Sequence, residues 1–223
     1  SCIPFPPLSA PSFGLIQEKV AHNAFWLVVA VMLLNKTRGT VAIPTFQSLI
    51  EVYPTPVEMA HANIDELAAM IKPLGLHNNR AKILINLAVT WIKEPPEKGR
   101  RHKTPNYPKP GAGAGKNIKP GEVLQDDDTD GRQGAFEIGH LPGCGAYALD
   151  SWRIFCRDRL RGLHNREAVD ETFQPEWQRV VPKDKELRAY LRWRWLREGF
   201  VWDPLTGEKE VASMKIMQQA EYG

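Results

Sequence analysis

An all-α fold is the prediction for this 223-residue sequence, and three observations carry it. Apolar side chains recur at helical spacing through most of residues 15–93 and 136–197. Helix caps and breakers fall between those stretches. No segment alternates apolar and polar residues for long, so β-structure should be scarce.

Residues 1–14 are rich in proline and serine and read as an extended lead-in. Helices should follow over 15–22 and 24–35. The second is apolar nearly all round (Phe25 to Val29, Val31 to Leu34), as a helix at the centre of a core must be. After the polar turn 35–39, a third helix should run to about Tyr53, with Pro44 confined to or kinking its early part. Thr55, Pro56 and Glu58 supply an N-cap, a first-turn proline and a capping acid for one short helix, and Asn63 with Glu66 repeats the capping-box pattern for another. Residues 72–75 break the chain. Asn78 or Asn79 then caps a long amphipathic helix with the stripe Ile83, Leu84, Leu87, Ala88, Trp91 and Ile92.

From about residue 94 to 134 the composition turns to proline, glycine, lysine and aspartate, with almost no large apolar residue. Such a stretch buries too little surface to offset its ordering entropy, so it should be a disordered, flexible insertion rather than a domain. Its GAGAGK run lacks the spacing, the Ser/Thr and the preceding strand of a phosphate-binding loop. Order should resume at Phe136, with helices over 146–160 and 183–197. The latter buries Leu187, Tyr190, Leu191 and Trp195 and displays its basic groups on the opposite side. The tail, 203–223, is assigned a short helix near Met214 and no function. Residues 1–223 read as a single domain, with one sizeable core or two small lobes sharing one.

Three cysteines, Cys2, Cys144 and Cys156, form no CxxC pair, so neither a disulfide framework nor a zinc ribbon is indicated and a reducing compartment fits best. The six histidines show no metal-ligand spacing and read as surface or capping groups. No apolar run approaches the roughly 18–20 residues of a membrane span, and the N-terminus lacks signal-peptide order, so a soluble intracellular protein is expected. The net charge of +3 announces no nucleic-acid binder by itself. Its distribution is more telling: residues 151–166 hold five arginines against one aspartate, and residues 179–197 hold seven basic groups against two acids. Charge alone leaves open a nucleic-acid surface or a solvated helix face.

The stretch HLPGCGAYALDSWRIFC, residues 140–156, is the most informative. Leu-Pro-Gly-x-Gly between two helices makes a hairpin whose glycines remove side chains, so that amides at the next helix N-terminus can face a phosphate while Leu141 anchors the turn. Alone, the pattern also describes an ordinary glycine-rich turn. Five residues beyond Gly145 stands Asp150, opening a helix of aromatic and basic residues.

This stretch, together with FGLIQEKVAHNAFWLVVAVMLLNKTRG, KPLGL with RAK beyond it, and the late PKDKELRAYLRWRW, resembles the helix-hairpin-helix base-excision DNA glycosylase superfamily. Within it the likeness is greatest to the glycosylase domain of the methyl-CpG-binding-domain thymine/uracil glycosylases. The landmarks stand in the family's order and span most of residues 5–200 apart from the insertion. The resemblance implies a two-lobed helical bundle with a DNA cleft between the lobes, a nuclear protein acting as a monomer on double-stranded DNA that contains a mismatched or damaged base. It further implies a monofunctional glycosylase that hydrolyses the N-glycosidic bond of thymine or uracil opposite guanine. Asp150 would be the catalytic carboxylate: glycosidic cleavage builds positive charge on the sugar, which an anion stabilises while also accepting a proton from water. Superfamily members that cut the strand carry a lysine where this chain has Tyr147, which cannot form a Schiff base.

An everted base needs a pocket and its vacancy a filler. By the same resemblance Gln17, Trp91 and Tyr147 line the pocket. Lys36, assisted by Arg38, and the apolar Leu76 enter the stack, and Leu141, Gly143, Gly145 and Arg153 hold phosphates. Lys36 departs from an arginine in the related enzyme, and Trp91 from a tyrosine; each also reads as an ordinary loop or core residue, as does Leu76. No cysteine quartet for an iron–sulfur cluster is present, and no cofactor is implied beyond a loosely bound monovalent cation at the hairpin carbonyls. A glycosylase of the same superfamily for another base, and a non-catalytic hairpin module that recognises DNA shape, remain as alternatives.

Overall fold

The structure, a computed structural model, describes residues 5–109, 114–125, 132–164 and 173–222. Arg166 of the basic run and residues 110–113 and 126–131 of the 94–134 stretch lie outside them. Helices dominate: α1 (Ile16–Val20), α2 (Ala24–Leu34), α3 (Gly39–Val52), α4 (Pro56–Ala60), α5 (Ile64–Met70), α6 (His77–Lys93), α7 (Ala146–Phe155), α8 (Arg157–Leu160), α9 (Lys185–Arg197) and α10 (Met214–Tyr222). No helix among the described residues is long and apolar enough to cross a membrane.

The caps form as their residue types dictate. Asn23 accepts from Trp26 N–H, Thr55 and Glu58 close a reciprocal box, and Asn63 accepts from the first-turn amides of α5. Pro44 lies inside α3. Two boundaries differ from expectation. The long helix α6 starts at His77 with Leu76 as its N-cap, in the left-handed conformation at φ +51°, rather than at an asparagine. The expected helix over 146–160 breaks at Cys156, where the chain turns to bring Arg157 inward.

Two cores flank α7. In the first, Leu27, Val28 and Val29 of α2 are fully buried among α3, α5 and α6, and Leu149 and Trp152 of α7 close it. In the second, Leu187, Tyr190, Leu191 and Trp193 of α9 pack on Leu8, Trp202 and Ile154, with Tyr147 at its edge. The arginines of α9 are not a free basic stripe. Arg194 lies over Trp177 at 4.3 Å, Arg197 over Trp193 at 4.6 Å and Arg192 over Phe5 at 5.7 Å, so their charges rest on aromatic faces. The tail carries a hairpin of β4 (Phe200–Trp202) and β5 (Lys209–Val211) before α10.

The described part of 94–134 differs from a flexible insertion. Three short strands, β1 (Arg101–Lys103), β2 (Val123–Leu124) and β3 (Ala135–Phe136), pair in the antiparallel order β2-β1-β3, with His102 opposite both Val123 and Phe136. Ile118, Leu124 and Ala135 make a small core, Tyr107 is buried against the first main core, and Thr104 Oγ1 donates to Gly134 O at 2.9 Å. A few well-placed anchors suffice where average composition suggests none. Nor are all histidines peripheral: His102 and His140 stack with ring centroids 3.9 Å apart, and His140 Nε2 lies 2.7 Å from Glu94 O.

Candidate DNA-processing site

The hairpin before α7 is built as its glycines require. Gly143 has φ +81°, and a Cβ there would meet Ile83 Cγ2 at 2.9 Å and Met32 Cε at 3.0 Å, so the turn sits directly on α6 and α2. Gly145 is different: its φ of −85° suits any residue and the space around it is open, which leaves the first amides of α7 unscreened toward solvent. Leu141 is 4% exposed, so its side chain anchors the turn and does not touch a phosphate. The expected helix ahead of the hairpin is only a turn, closed by Gly139 N–H to Phe136 O at 3.0 Å and Leu141 N–H to Ile138 O at 3.1 Å.

In the first turn of α7, Tyr147 receives a hydrogen bond from Gln17 Nε2 at 2.8 Å. The two residues lie 130 positions apart in sequence, yet the packing of α1 against α7 brings the expected pocket pair together. Burial raises the Tyr147 hydroxyl above its ordinary range, and the nearby carboxylates of Asp184 and Glu186 raise it further. Asp184 is a residue that sequence reasoning missed as a functional group. It is the N-cap of α9, half-buried, and its Oδ1 accepts from Glu186 N at 2.9 Å and Leu187 N at 3.0 Å. Both bonds fall on one oxygen, which fixes the carboxylate's direction.

Asp150 lies deeper. It is 6% exposed and its Oδ1 accepts from Tyr107 Oη at 2.6 Å. Burial pushes its carboxyl up to about 6, aided by Asp184, while the Tyr107 hydrogen bond, Arg153 and Lys183 oppose the rise. The expected catalytic acid is thus tied to the inserted sheet by Tyr107, with Asp184 and Lys183 from the start of α9 close enough to act on it. Arg153 departs from expectation as well. Its guanidinium donates to Tyr107 Oη at 3.1 Å, pairs with the buried Glu176 and lies 5.0 Å over Phe136, so it is an internal group instead of a phosphate contact.

The two expected fillers share a backbone signature. Among the described residues, the non-glycine positions with positive φ are Lys36 (+58°), Leu76 (+51°) and Asn106 (+66°). Lys36 is exposed on the turn after α2, and Leu76 is 75% exposed despite being apolar. Arg80, also missed, ties the two turns together. From the first turn of α6 it donates to Met32 O, Leu33 O and Asn35 O at 2.9–3.1 Å and to Thr37 Oγ1 at 3.0 Å. Arg38 is exposed at the N-cap of α3, beside Lys36 in sequence. Trp91 packs half-buried against the first core, edge-on to Phe25 with ring centroids 5.3 Å apart.

Among the described residues no three His, Cys, Asp or Glu side chains come together as a metal-ligand set. Burial holds the Cys144 and Cys156 thiols well up, to about 12, so neither is a ready thiolate.

Comparison with known proteins agrees with this architecture. A thymine/uracil-DNA glycosylase of Pyrobaculum aerophilum is 36% identical over 185 residues, covering 75% of this chain and 66% of the relative. A thymine-DNA glycosylase of Aeropyrum pernix is 28% identical over 166 residues, covering 72% and 66%. A methyl-CpG-binding domain protein 4-like protein of Arabidopsis thaliana is 25% identical over 184 residues, covering 82% of this chain and 28% of that one. The chain thus spans just under two thirds of the archaeal relatives and a little over a quarter of the plant protein. The sequence pattern of the HhH-GPD superfamily of base excision DNA repair proteins matches residues 29–193, from the middle of α2 to the middle of α9. By that match over most of its length, the chain belongs to the HhH-GPD superfamily.

Proposed function

We propose that the protein is a DNA glycosylase that hydrolyses the N-glycosidic bond of thymine or uracil opposite guanine and leaves the strand intact. The observation that carries this reading is the convergence of Gln17, Tyr147 and Asp184 beside the glycine hairpin. An amide that both donates and accepts suits the alternating edge of a pyrimidine. The hairpin amides suit a phosphate, and the exposed Lys36 and Leu76 suit the gap left by an everted nucleotide. The names of the archaeal relatives point to the same bases.

Asp184 is the better-placed carboxylate. It shares its surroundings with Tyr147, is half-exposed, and is aimed by the α9 amides, so it can sit near positive charge growing on the sugar and take a proton from water. Asp150 remains a second reading, favoured by its burial and raised proton affinity. Tyr147 offers no amine, so no Schiff base forms and the abasic strand stays uncut. The work would be that of a monomer on duplex DNA in the nucleus.

Single-turnover base release from G·T, G·U and G·5-hydroxymethyluracil duplexes tests the function and separates it from excision of other bases. With DNA binding retained, Asp184→Asn should lose roughly 100-fold or more in rate, and Asp150→Asn about ten-fold. The reverse order would hand the role to Asp150. Borohydride trapping of a protein–DNA adduct would refute the monofunctional mechanism, and tight binding with no base released from any duplex would reduce the protein to a DNA-shape reader.

A further inference from the structure

We propose that Tyr107 is a positioning residue for base release: the sheet of residues 101–136 delivers its hydroxyl to α7, where it holds the Asp150 carboxylate as an oriented anion behind the reacting site. The inference rests on the glycosylase reading above.

Tyr107 is 3% exposed, and its place in a stretch so poor in apolar residues is unusual enough to need a reason. Its Oη donates to Asp150 Oδ1 at 2.6 Å and accepts from Arg153 Nη1 at 3.1 Å, so the hydroxyl proton has one direction to point. Arg153 is in turn held by Glu176, Glu176 by Arg157 Nη1 at 2.9 Å, and Arg157 Nε by Glu137 Oε1 at 3.0 Å. Glu137 directly follows β3 and also accepts from Trp152 Nε1 at 3.0 Å. The inserted sheet is therefore fastened to α7 through Tyr107 at one end and Glu137 at the other, with the Tyr107 ring edge-on to Phe136 at 5.5 Å.

A purely structural contact would not need this chemistry. A phenylalanine fills the same space, and a buried carboxylate is costly unless its charge is used or balanced. The groups facing Asp150 are Tyr107 from the sheet, Arg153 from its own helix, and Asp184 and Lys183 from the start of α9. An anion at Asp150 thus adds negative potential where Asp184 would meet a positively charged sugar. The Tyr107 bond favours the ionised form. Protonating Asp150 removes that potential, so base release should fall on the acid side as Asp150 takes up its proton.

The test is Tyr107→Phe, read by single-turnover release of uracil from a G·U duplex between pH 5 and 8, together with carbon-detected NMR titration of the Asp150 carboxyl. Loss of the hydrogen bond should move the Asp150 titration and the acid limb upward together, by roughly one pH unit. The rate should drop about three-fold at pH 6.5 and change little at pH 8. In the Asp150→Asn background the same substitution should have no further effect. An equal loss at every pH, an unmoved limb, or additive effects in the double variant would overturn the role of Tyr107 while leaving an active glycosylase. A wild-type protein that releases no base from any mismatched duplex would instead overturn the glycosylase reading, and with it this role, whatever the NMR titration shows.

Discussion

A leucine that is 75% exposed at φ +51° gains little from burial and bears a backbone cost of about 1–2 kcal/mol. Such strain persists where the surroundings impose it and the side chain is wanted for something else. For Leu76 the surroundings are Gly75, itself at φ +71°, and Arg80, whose fork grips the turn that presents Lys36. Asparagine tolerates the left-handed region and is a good N-cap. Leu76→Asn should accordingly keep or raise stability, by up to about 1 kcal/mol in a urea titration, while slowing base release. If stability and activity fell together, Leu76 would be a structural residue and not a wedge. The two turns were legible in the sequence from their polar or glycine-rich breakers, but Lys36 and Leu76 were singled out on them only by the family resemblance. Asp184 was legible only as part of a basic run, since nothing in a single chain says that the start of α9 lies beside Tyr147.

The helices were readable where one local signal was strong: an unbroken apolar run for α2, caps for α4 and α5, and helical spacing of apolar residues for α9. They were misread where tertiary demands override local preference: α6 begins at a strained leucine although asparagines stand next to it, and the arm before the hairpin is a turn because Glu137 and His140 are engaged elsewhere. The hairpin itself separates two uses of glycine. Gly143→Ala pushes a methyl into Ile83 and Met32 at a positive φ and should cost about 2–4 kcal/mol of stability, visible as a lower melting temperature. Gly145→Ala meets open space at an ordinary φ. Its fold should be unchanged, and its affinity for duplex DNA should weaken if the adjoining amides approach a phosphate closely. An unaltered affinity would place the DNA backbone elsewhere.

At the scale of the whole molecule, α7 is shared by two cores and a fastened sheet, and the buried titratable groups at those seams make stability depend on pH in opposing ways. The sheet was the least legible part of the fold, because three small anchors and one tyrosine carry it against an unpromising average composition. His102 on β1 is held neutral: burial first, then His140 and Arg100, lower its proton affinity from 6.5 to about 4, against an opposing pull from Glu94. A depressed folded value means that unfolding takes up a proton below pH 6.5, so this stability is present above 6.5 and is lost as the pH falls toward 4. Asp150 runs the other way. Its folded value is raised from 3.8 to about 6, so its contribution is present below 3.8 and is lost as the pH rises through 6. The wild-type profile should therefore be flatter between pH 4 and 6.5 than either variant's. The stability advantage of wild type over His102→Gln should grow across that window, on the order of 1–3 kcal/mol. The difference between wild type and Asp150→Asn should shift by a similar amount in favour of the asparagine. Urea midpoints at pH 4.5, 5.5 and 6.5 for the three proteins read both slopes, and parallel profiles would mean that neither side chain is buried as the seams around α7 require.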